Sequence, residues 1–180
     1  MKGMVFTEFI EFVEKEFGFE MSDQIITQSD LKSGGVYTAV GTYDFQEMLN
    51  LLITLNKKTN IPLNDLLQTF GKHLFFRFVQ MYPHFIDRTK SLFHFLSGID
   101  HYIHVEVLKL YPDAELPTMT IEERTDDHIV IDYKSERKLA YFALGLFQSA
   151  TAYFNEPCAI NFKNIKTDGS EVKFFITKSK

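Results

Sequence analysis

The chain has 180 residues, which is enough for one domain and too few for two independent folds. Hydrophobic residues make up 45 % and charged residues 24 %, a balance that excludes disordered and fibrous architectures. The net charge of -5 argues against nucleic acid as a partner, because phosphate binding needs a basic surface. The single cysteine, Cys158, excludes an internal disulfide framework and any Cys-x-x-Cys motif.

Helical spacing of apolar residues predicts four helices in the N-terminal half. The first covers Val5–Phe17, where glutamates separate the apolar positions. A second short helix is predicted from Ser22 and a third from about Tyr43. The fourth begins at about Asn64 and is closed by Pro83, which cannot continue a helix.

The C-terminal half is predicted to contain strands, because the apolar period changes after Pro117. The predicted elements are a helix over Ser91–Tyr111, strands over Met119–Glu123 and His128–Tyr133, a helix over Leu139–Phe154, and strands over Cys158–Ile165 and Val172–Thr177. A helical half followed by a β-β-α-β-β tail predicts an α+β fold. We expect one domain over 1–180, with a helical lobe over about 1–60 and a remainder, about 61–180, that carries an antiparallel sheet and a long helix.

The sequence shows no export or membrane segment. The N-terminal region lacks the continuous apolar stretch of a signal peptide. The longest uncharged run, Leu139–Asn155, is short for a membrane span of about 20 apolar residues and includes polar side chains. We therefore expect a cytoplasmic protein with no membrane partner.

Motifs for hydrolysis, phosphate binding and zinc are missing from the sequence. Ser97, Asp100 and His101 lie close together, but no Gly-x-Ser-x-Gly elbow frames a serine, so they are interpreted as helix surface. Ser33-Gly34-Gly35 matches neither glycine-rich phosphate pattern and is interpreted as a turn. Six histidines are present, but no Cys or Glu stands at obvious ligand spacing, which disfavours a closed zinc site.

One helix histidine fits a different requirement. Heme iron needs a single protein nitrogen, provided that a hydrophobic slot holds the macrocycle. His104 lies beside an apolar stripe, with Val107 and Leu108 one turn along. Asp100, one turn back, could accept the second ring N–H and fix the tautomer. A half-buried structural histidine is the alternative, and this segment alone favours it.

A second pattern, Tyr133-x-Ser135-x-Arg137, changes that balance. If the strand from His128 continues, the three side chains point the same way, because side chains alternate along a strand. A phenol, a hydroxyl and a guanidinium in a row suit a carboxylate. A solvated strand edge is the alternative. Combined with His104 and a chain containing 19 Phe, the row predicts a clamp for heme propionates.

These motifs, in this order, resemble the heme nitric oxide/oxygen-binding family (H-NOX), also found as the heme domain of soluble guanylate cyclase. The resemblance covers essentially the whole chain. It is carried by Met1-Lys2-Gly3, Gly71 with Phe75 and Phe76, Phe95-Leu96, Ile99-Asp100, Ile103-His104, Val107, Leu110-Tyr111-Pro112-Asp113-Ala114, Leu116-Pro117 and Tyr133-x-Ser135-x-Arg137.

The resemblance implies heme b held between the two lobes. His104 would be the proximal iron ligand, and Tyr133, Ser135 and Arg137 would bind the propionates. Pro117 matches the family proline that presses on the porphyrin and keeps it distorted.

The resemblance also implies a sensor rather than an enzyme. Family members detect a diatomic gas and signal to a partner, which in bacteria is commonly a histidine kinase or a cyclic-di-GMP enzyme (diguanylate cyclase or phosphodiesterase). We therefore expect a separate signalling protein as partner. A heme enzyme that turns over nitric oxide or peroxide and a heme-free interaction module are the other classes considered.

The gas is predicted from one position on the distal side. Members that bind oxygen stably use a distal tyrosine, and Phe142 is assigned to that place here, so nitric oxide is expected, with carbon monoxide as a further ligand. Tyr141 is one residue away, and a register error of one would favour an oxygen-binding member instead. Val5, Phe78 and Leu146 are expected to line the distal side.

Overall fold

The computed structural model describes residues 1–87 and 89–179. The α-helices are α1 (Gly3–Phe17), α2 (Phe19–Gln28), α3 (Phe45–Thr59), α4 (Leu63–Met81), α5 (Leu92–Ser97), α6 (His104–Leu110) and α7 (Ala140–Tyr153). A short 3₁₀ turn (Pro83–Phe85) follows α4, and a π-helical turn (Ile99–Ile103) separates α5 from α6. The strands are β1 (Thr118–Arg124), β2 (His128–Lys134), β3 (Cys158–Asn164) and β4 (Glu171–Lys178). The α+β prediction is confirmed.

The four N-terminal helices begin within three residues of their predicted starts, and two of the shifts have a local cause. The second helix starts at Phe19 rather than Ser22, because Gly18 adopts φ 89° and turns the chain so that a new helix begins at once. The third starts at Phe45, where the Asp44 side chain accepts a hydrogen bond from the backbone N–H of Gln46. Both differences come from local capping, which apolar spacing does not report.

The predicted single helix over Ser91–Tyr111 is interrupted by the π-helical turn. Ile103 N–H donates to Gly98 O at 3.2 Å, one residue further back than an α-helical bond. Ile103 and Val107 of the predicted apolar stripe are still partly buried against the cluster that contains Ile99. Leu110, which was assigned to the same stripe as Ile99, is 51 % exposed, whereas Ile99 is buried.

The strands form one antiparallel sheet in the order β1-β2-β4-β3, and the β-β-α-β-β order is confirmed. In β2, Ile129, Ile131 and Tyr133 are buried on one face. Helix α7 covers that face, where the rings of Phe147 and Phe174 meet edge to face with centroids 5.0 Å apart.

Two hydrophobic clusters fill the described part of the chain. One is built mainly from α1, α3 and the first half of α4, and the other from α5, the sheet and α7. Helix α4 serves both, because Leu74 belongs to the first cluster and Phe75 to the second. The lobe boundary near residue 60 stays a prediction. No helix in residues 1–87 and 89–179 is both long and apolar enough to cross a membrane.

Helices α4 and α7 pack with their backbones in close approach. A Cβ added at Gly71 would overlap the carbonyl oxygen of Phe142, and one at Gly145 would overlap that of Gln68. Gln68 also donates to Gln148 Oε1 at 2.8 Å across the same interface. Glycine at both positions therefore fixes the spacing of the two helices.

We expect Gly145→Ala to lower the free energy of unfolding by about 1–3 kcal/mol, because the added methyl must push α4 from α7. Besides the overlap with Gln68, its Cβ would lie 2.9 Å from the backbone nitrogen of Lys72. Chemical denaturation measures the change. Gly98→Ala is the control, since its Cβ has no neighbour closer than 3.4 Å and the backbone φ is -87°. Equal stability of the two variants would contradict the packing argument.

Candidate functional site

A cavity of about 1030 Å³ lies between helices α1, α4, α6 and α7 and strand β2. All nine residues that the sequence singled out for a site line it. They are Val5, Phe78, His104, Pro117, Tyr133, Ser135, Arg137, Phe142 and Leu146. Side chains that are up to 141 positions apart in sequence, from Val5 to Leu146, therefore surround one space.

His104 is held from behind by a carboxylate, as its spacing from Asp100 predicted. It is the first residue of α6, directly after the π-helical turn. Its Nδ1 lies 2.8 Å from Asp100 Oδ1. The other oxygen of Asp100 accepts a hydrogen bond from the backbone N–H of Met119 at 2.8 Å. The carboxylate thus fixes the imidazole and is itself anchored to β1.

The surroundings of His104 favour its neutral form. Burial lowers the pKa of His104 below its ordinary value, and Asp100 acts in the opposite direction without reversing the shift. Among the described residues, Nε2 of His104 has no hydrogen-bond partner, and the residue lines the cavity. A neutral imidazole with one nitrogen bound to a carboxylate and the other free is the state in which histidine ligates a metal.

Tyr133 lies near the end of β2 and Ser135 directly after it, and both line the cavity. The Tyr133 side chain is buried, with its ring edge to face against Phe174 at 5.9 Å. Burial raises the pKa of Tyr133, while the hydrogen bond with Ser135 and the charge of Arg137 oppose the shift. The phenol stays protonated near neutral pH and can donate a hydrogen bond.

Arg137 reaches the cavity from a turn and not from the strand, which corrects the predicted row of side chains. Strand β2 ends at Lys134, and the chain then turns into α7 through Lys138 at φ 57°. The guanidinium donates from Nη1 to the backbone oxygen of Glu115 at 2.8 Å and from Nη2 to the Glu115 carboxylate. Tyr133, Ser135 and Arg137 still line the same cavity, so the three donors converge by a different route.

The wall formed by α1, α4 and α7 is apolar. It carries Val5 from α1, Phe78 from α4, and Phe142 and Leu146 from α7. Tyr141 packs its ring against Phe162 of β3, with centroids 5.1 Å apart, and is not among the described residues that line the cavity. The assignment of Phe142, rather than Tyr141, to the cavity wall agrees with the structure.

Three cavity residues were missed as site residues by sequence reasoning. Tyr82 and Tyr111 join their hydroxyls at 3.0 Å, and burial followed by this hydrogen bond raises the pKa of Tyr82 to about 12. Glu115 binds Arg137. Tyr111 had carried the family resemblance, but no spacing rule relates these three positions. The Tyr82–Tyr111 contact joins the ends of α4 and α6, and the Glu115–Arg137 contact joins the α6–β1 connection to the turn before α7.

The residues present suit a metal that brings most of its own ligands. In residues 1–87 and 89–179, no group of three or more His, Cys, Asp or Glu could hold a metal ion. One free histidine nitrogen, an apolar wall and a carboxylate-binding cluster are instead what an iron porphyrin requires.

The sequence comparison agrees with this geometry. The family model described as Haem-NO-binding matches residues 2–162. The chain belongs to the haem-NO-binding (H-NOX) family. Members of this family are heme-binding sensor domains. No curated protein matches this H-NOX chain.

Solved structures give the same result for the fold. The H-NOX protein from K. algicida in the unliganded Fe(II) state is 47 % identical, with a TM-score of 0.96 over 100 % of this chain and 97 % of that one. The H-NOX from Shewanella woodyi in the Fe(II)CO state is 41 % identical, with a TM-score of 0.85 over 99 % and 95 %. The H-NOX protein from S. oneidensis in the Fe(II)NO state, at 24 % identity and a TM-score of 0.92 over 100 % of both chains, supports the fold alone.

Proposed function

We propose that this H-NOX domain binds heme b through His104 and senses nitric oxide. The observation that carries the proposal is the free Nε2 of the partly buried His104, which lines a cavity of about 1030 Å³. When bound, ferrous heme supplies the iron at which a diatomic gas binds. The side chains of this domain would hold the macrocycle, orient it and form the surroundings of the bound gas.

Each wall of the cavity has a separate role in holding the group. His104 would bind the iron through Nε2, and Asp100 fixes the tautomer that leaves Nε2 free. Tyr133, Ser135 and Arg137 would donate hydrogen bonds to the propionates. The Arg137 guanidinium would also supply the positive charge that pairs with them. Pro117, which also lines the cavity, would press on the porphyrin.

Nitric oxide is favoured over oxygen because the cavity wall formed by α1, α4 and α7 is apolar. Phe142 lines the cavity, and we assign it to the position at which oxygen-binding members of the family carry a tyrosine. The ring of Tyr141 packs against Phe162 instead. Oxygen bound to ferrous heme carries partial negative charge, so a hydrogen bond stabilises it. Nitric oxide binds ferrous heme strongly without a hydrogen bond. Carbon monoxide is expected to bind on the same grounds.

Gas binding would act on the protein at His104, since the ring is the first side chain of α6. A change in how that ring is held would free the start of α6 and relieve the pressure at Pro117. The helical lobe could then move against the sheet-bearing lobe, which is a packing change that a separate protein can read. The expected partner is a histidine kinase or a cyclic-di-GMP enzyme.

Absorption spectra of the purified ferrous protein test the proposal. We expect a five-coordinate heme that takes nitric oxide and forms no stable complex when air is admitted. A stable oxygen complex would overturn the assignment of the gas. Purified protein without heme would overturn the assignment of His104, and rapid consumption of nitric oxide under air would favour an enzyme.

Phe142→Tyr is expected to make the ferrous oxygen complex longer-lived by about 10- to 100-fold. The new hydroxyl would donate to an oxygen that carries partial negative charge, and such bonds are worth about 1.5–3 kcal/mol. Stopped-flow measurement of oxygen dissociation checks the change. Tyr141→Phe is the matched control and should leave the rate unchanged, because its ring packs against Phe162. An effect of Tyr141→Phe equal to that of Phe142→Tyr would contradict the assignment.

A further inference from the structure

The Lys2 ammonium group is inserted between the N-terminal lobe and the connection that joins α6 to β1. It donates to Val40 O at 3.1 Å, to Thr42 Oγ1 at 2.7 Å and to both oxygens of Asp113 at 3.0 and 3.3 Å. Thr42 Oγ1 in turn donates to Asp113 Oδ2 at 2.6 Å. The Lys2 side chain is only 12 % exposed, whereas that of Asp113 is 58 % exposed, so the network is partly exposed to solvent.

On the N-terminal side, backbone hydrogen bonds hold Lys2 and Thr42 in position. Lys2 and Thr42 form an isolated antiparallel β-bridge. The N–H of Gly3 donates to Gly41 O at 2.8 Å, and the N–H of Met4 donates to Ala39 O at 3.0 Å. These bonds join the start of α1 to the loop before α3, so Lys2 and Thr42 are held in fixed positions.

On the other side, Asp113 lies between the two residues expected to respond to gas. It follows the end of α6, nine positions after His104, and precedes Pro117 by four. Hydrogen bonds from Thr42 and then Lys2 lower the pKa of Asp113 to about 2, so the carboxylate is ionised throughout the neutral range. Lys2 Nζ also lies 5.4 Å from the ring centroid of Tyr111, which adds a cation–π contact to the same connection.

We propose that Lys2, Thr42 and Asp113 form a latch between the N-terminal lobe and the α6–β1 connection, which restrains α6 until gas binds. The proposal rests on the proposed function for its trigger, but the restraint itself is a property of the protein without gas. Movement of α6 or of Pro117 must carry Asp113 with it, because only a short connection separates them. The strength of the latch therefore sets part of the energy that gas binding must supply.

Amide hydrogen exchange of the heme-bound ferrous protein tests the latch before any gas is added. The informative amides are those of Ala114, which donates to Tyr111 O at 3.0 Å, and Gly41, which donates to Thr38 O at 3.0 Å. We expect both to exchange about fivefold faster in Asp113→Asn and Thr42→Val, a change typical of one partly exposed ion-pair network. Exchange in α7, which takes no part in the latch, should stay as in the unmodified protein.

Glu106→Gln is the matched control. It removes the ion pair between Glu106 and Lys109, whose atoms are 2.6 Å apart and which lies within α6 without reaching the N-terminal lobe. This variant should leave Ala114 and Gly41 unchanged. Unchanged exchange in both latch variants, or equal acceleration in Glu106→Gln, overturns the latch.

Addition of nitric oxide separates the latch from the proposed function. In the unmodified protein, the gas should accelerate exchange at Ala114 and Gly41, and the further gain in Asp113→Asn should be smaller because the latch is already open. If the spectrum shows that nitric oxide does not bind while the variants still exchange faster, the latch stands and the sensor proposal fails. If nitric oxide binds and exchange at these amides does not change, the latch has no part in signalling and the proposal is overturned.

Discussion

His104→Gly is expected to lose most of its heme on purification and to show no five-coordinate ferrous spectrum. Nε2 of His104 is the one nitrogen proposed to ligate iron, and removing even an outer partner of a metal ligand commonly costs about 10- to 100-fold in affinity. Removing the ligand itself should therefore cost at least about 100-fold. The measurements are the ratio of heme to protein and the rate of heme transfer to an acceptor protein. Added imidazole should restore the spectrum by entering the space of the lost ring.

His101→Gly is the control for this experiment. His101 precedes His104 by three residues, is exposed, and is not among the described residues that line the cavity. A glycine there disturbs the same π-helical turn without removing the proposed ligand, so the heme content should remain that of the unmodified protein. Full heme retention by His104→Gly without imidazole, or equal loss in both variants, would refute the role of His104.

The sequence predicted those features that depend on periodic spacing. Apolar residues three and four apart placed α1 and α4 correctly, because one face of each helix is buried. Helical spacing also placed Asp100 one turn before His104, and Nδ1 of His104 lies 2.8 Å from Oδ1 of Asp100. Side-chain alternation along β2 also predicted that Tyr133 and Ser135 point the same way, and both line the cavity.

Features that depend on local backbone geometry were not predictable in this way. The π-helical turn over Ile99–Ile103 adds a residue to one turn, and spacing alone gives no sign of it. Arg137 was assigned to a continued strand, but the chain turns before it. The pairing of Arg137 with Glu115 depends on how the α6–β1 connection packs against that turn, which only the folded chain decides.

Sequence reasoning also passed over a partly buried ion pair that joins α1 to α4, two of the helices that form the apolar wall of the cavity. Glu8 on α1 is 5 % exposed, and Arg77 on α4 donates to its carboxylate from Nε at 2.6 Å and from Nη2 at 3.1 Å. His73 Nε2 lies 3.7 Å from the same carboxylate and is buried without a hydrogen-bond partner in the described structure. Burial lowers the pKa of His73, so the ring does not supply the missing positive charge at neutral pH.

Arg77→Met is therefore expected to lower the free energy of unfolding by about 2–3 kcal/mol. The variant leaves the Glu8 carboxylate buried and without its cation, a defect that commonly costs about 3–5 kcal/mol, and the 34 % exposure of Arg77 reduces that figure. The double variant Glu8→Met with Arg77→Met should recover part of the loss, because no charge is then left buried. Urea denaturation of the heme-bound protein measures all three.

Glu11→Gln is the control that measures how much an exposed ion pair with the same arginine contributes to stability. Glu11 is 56 % exposed and lies 3.2 Å from Arg77 Nη2, so its removal should cost less than about 1 kcal/mol. A loss in Glu11→Gln as large as that in Arg77→Met, or a double variant less stable than Arg77→Met alone, would contradict the argument. Since α1 carries Val5 and α4 carries Phe78, Arg77→Met should also release heme faster than Glu11→Gln, which connects this ion pair to the spacing of the cavity walls.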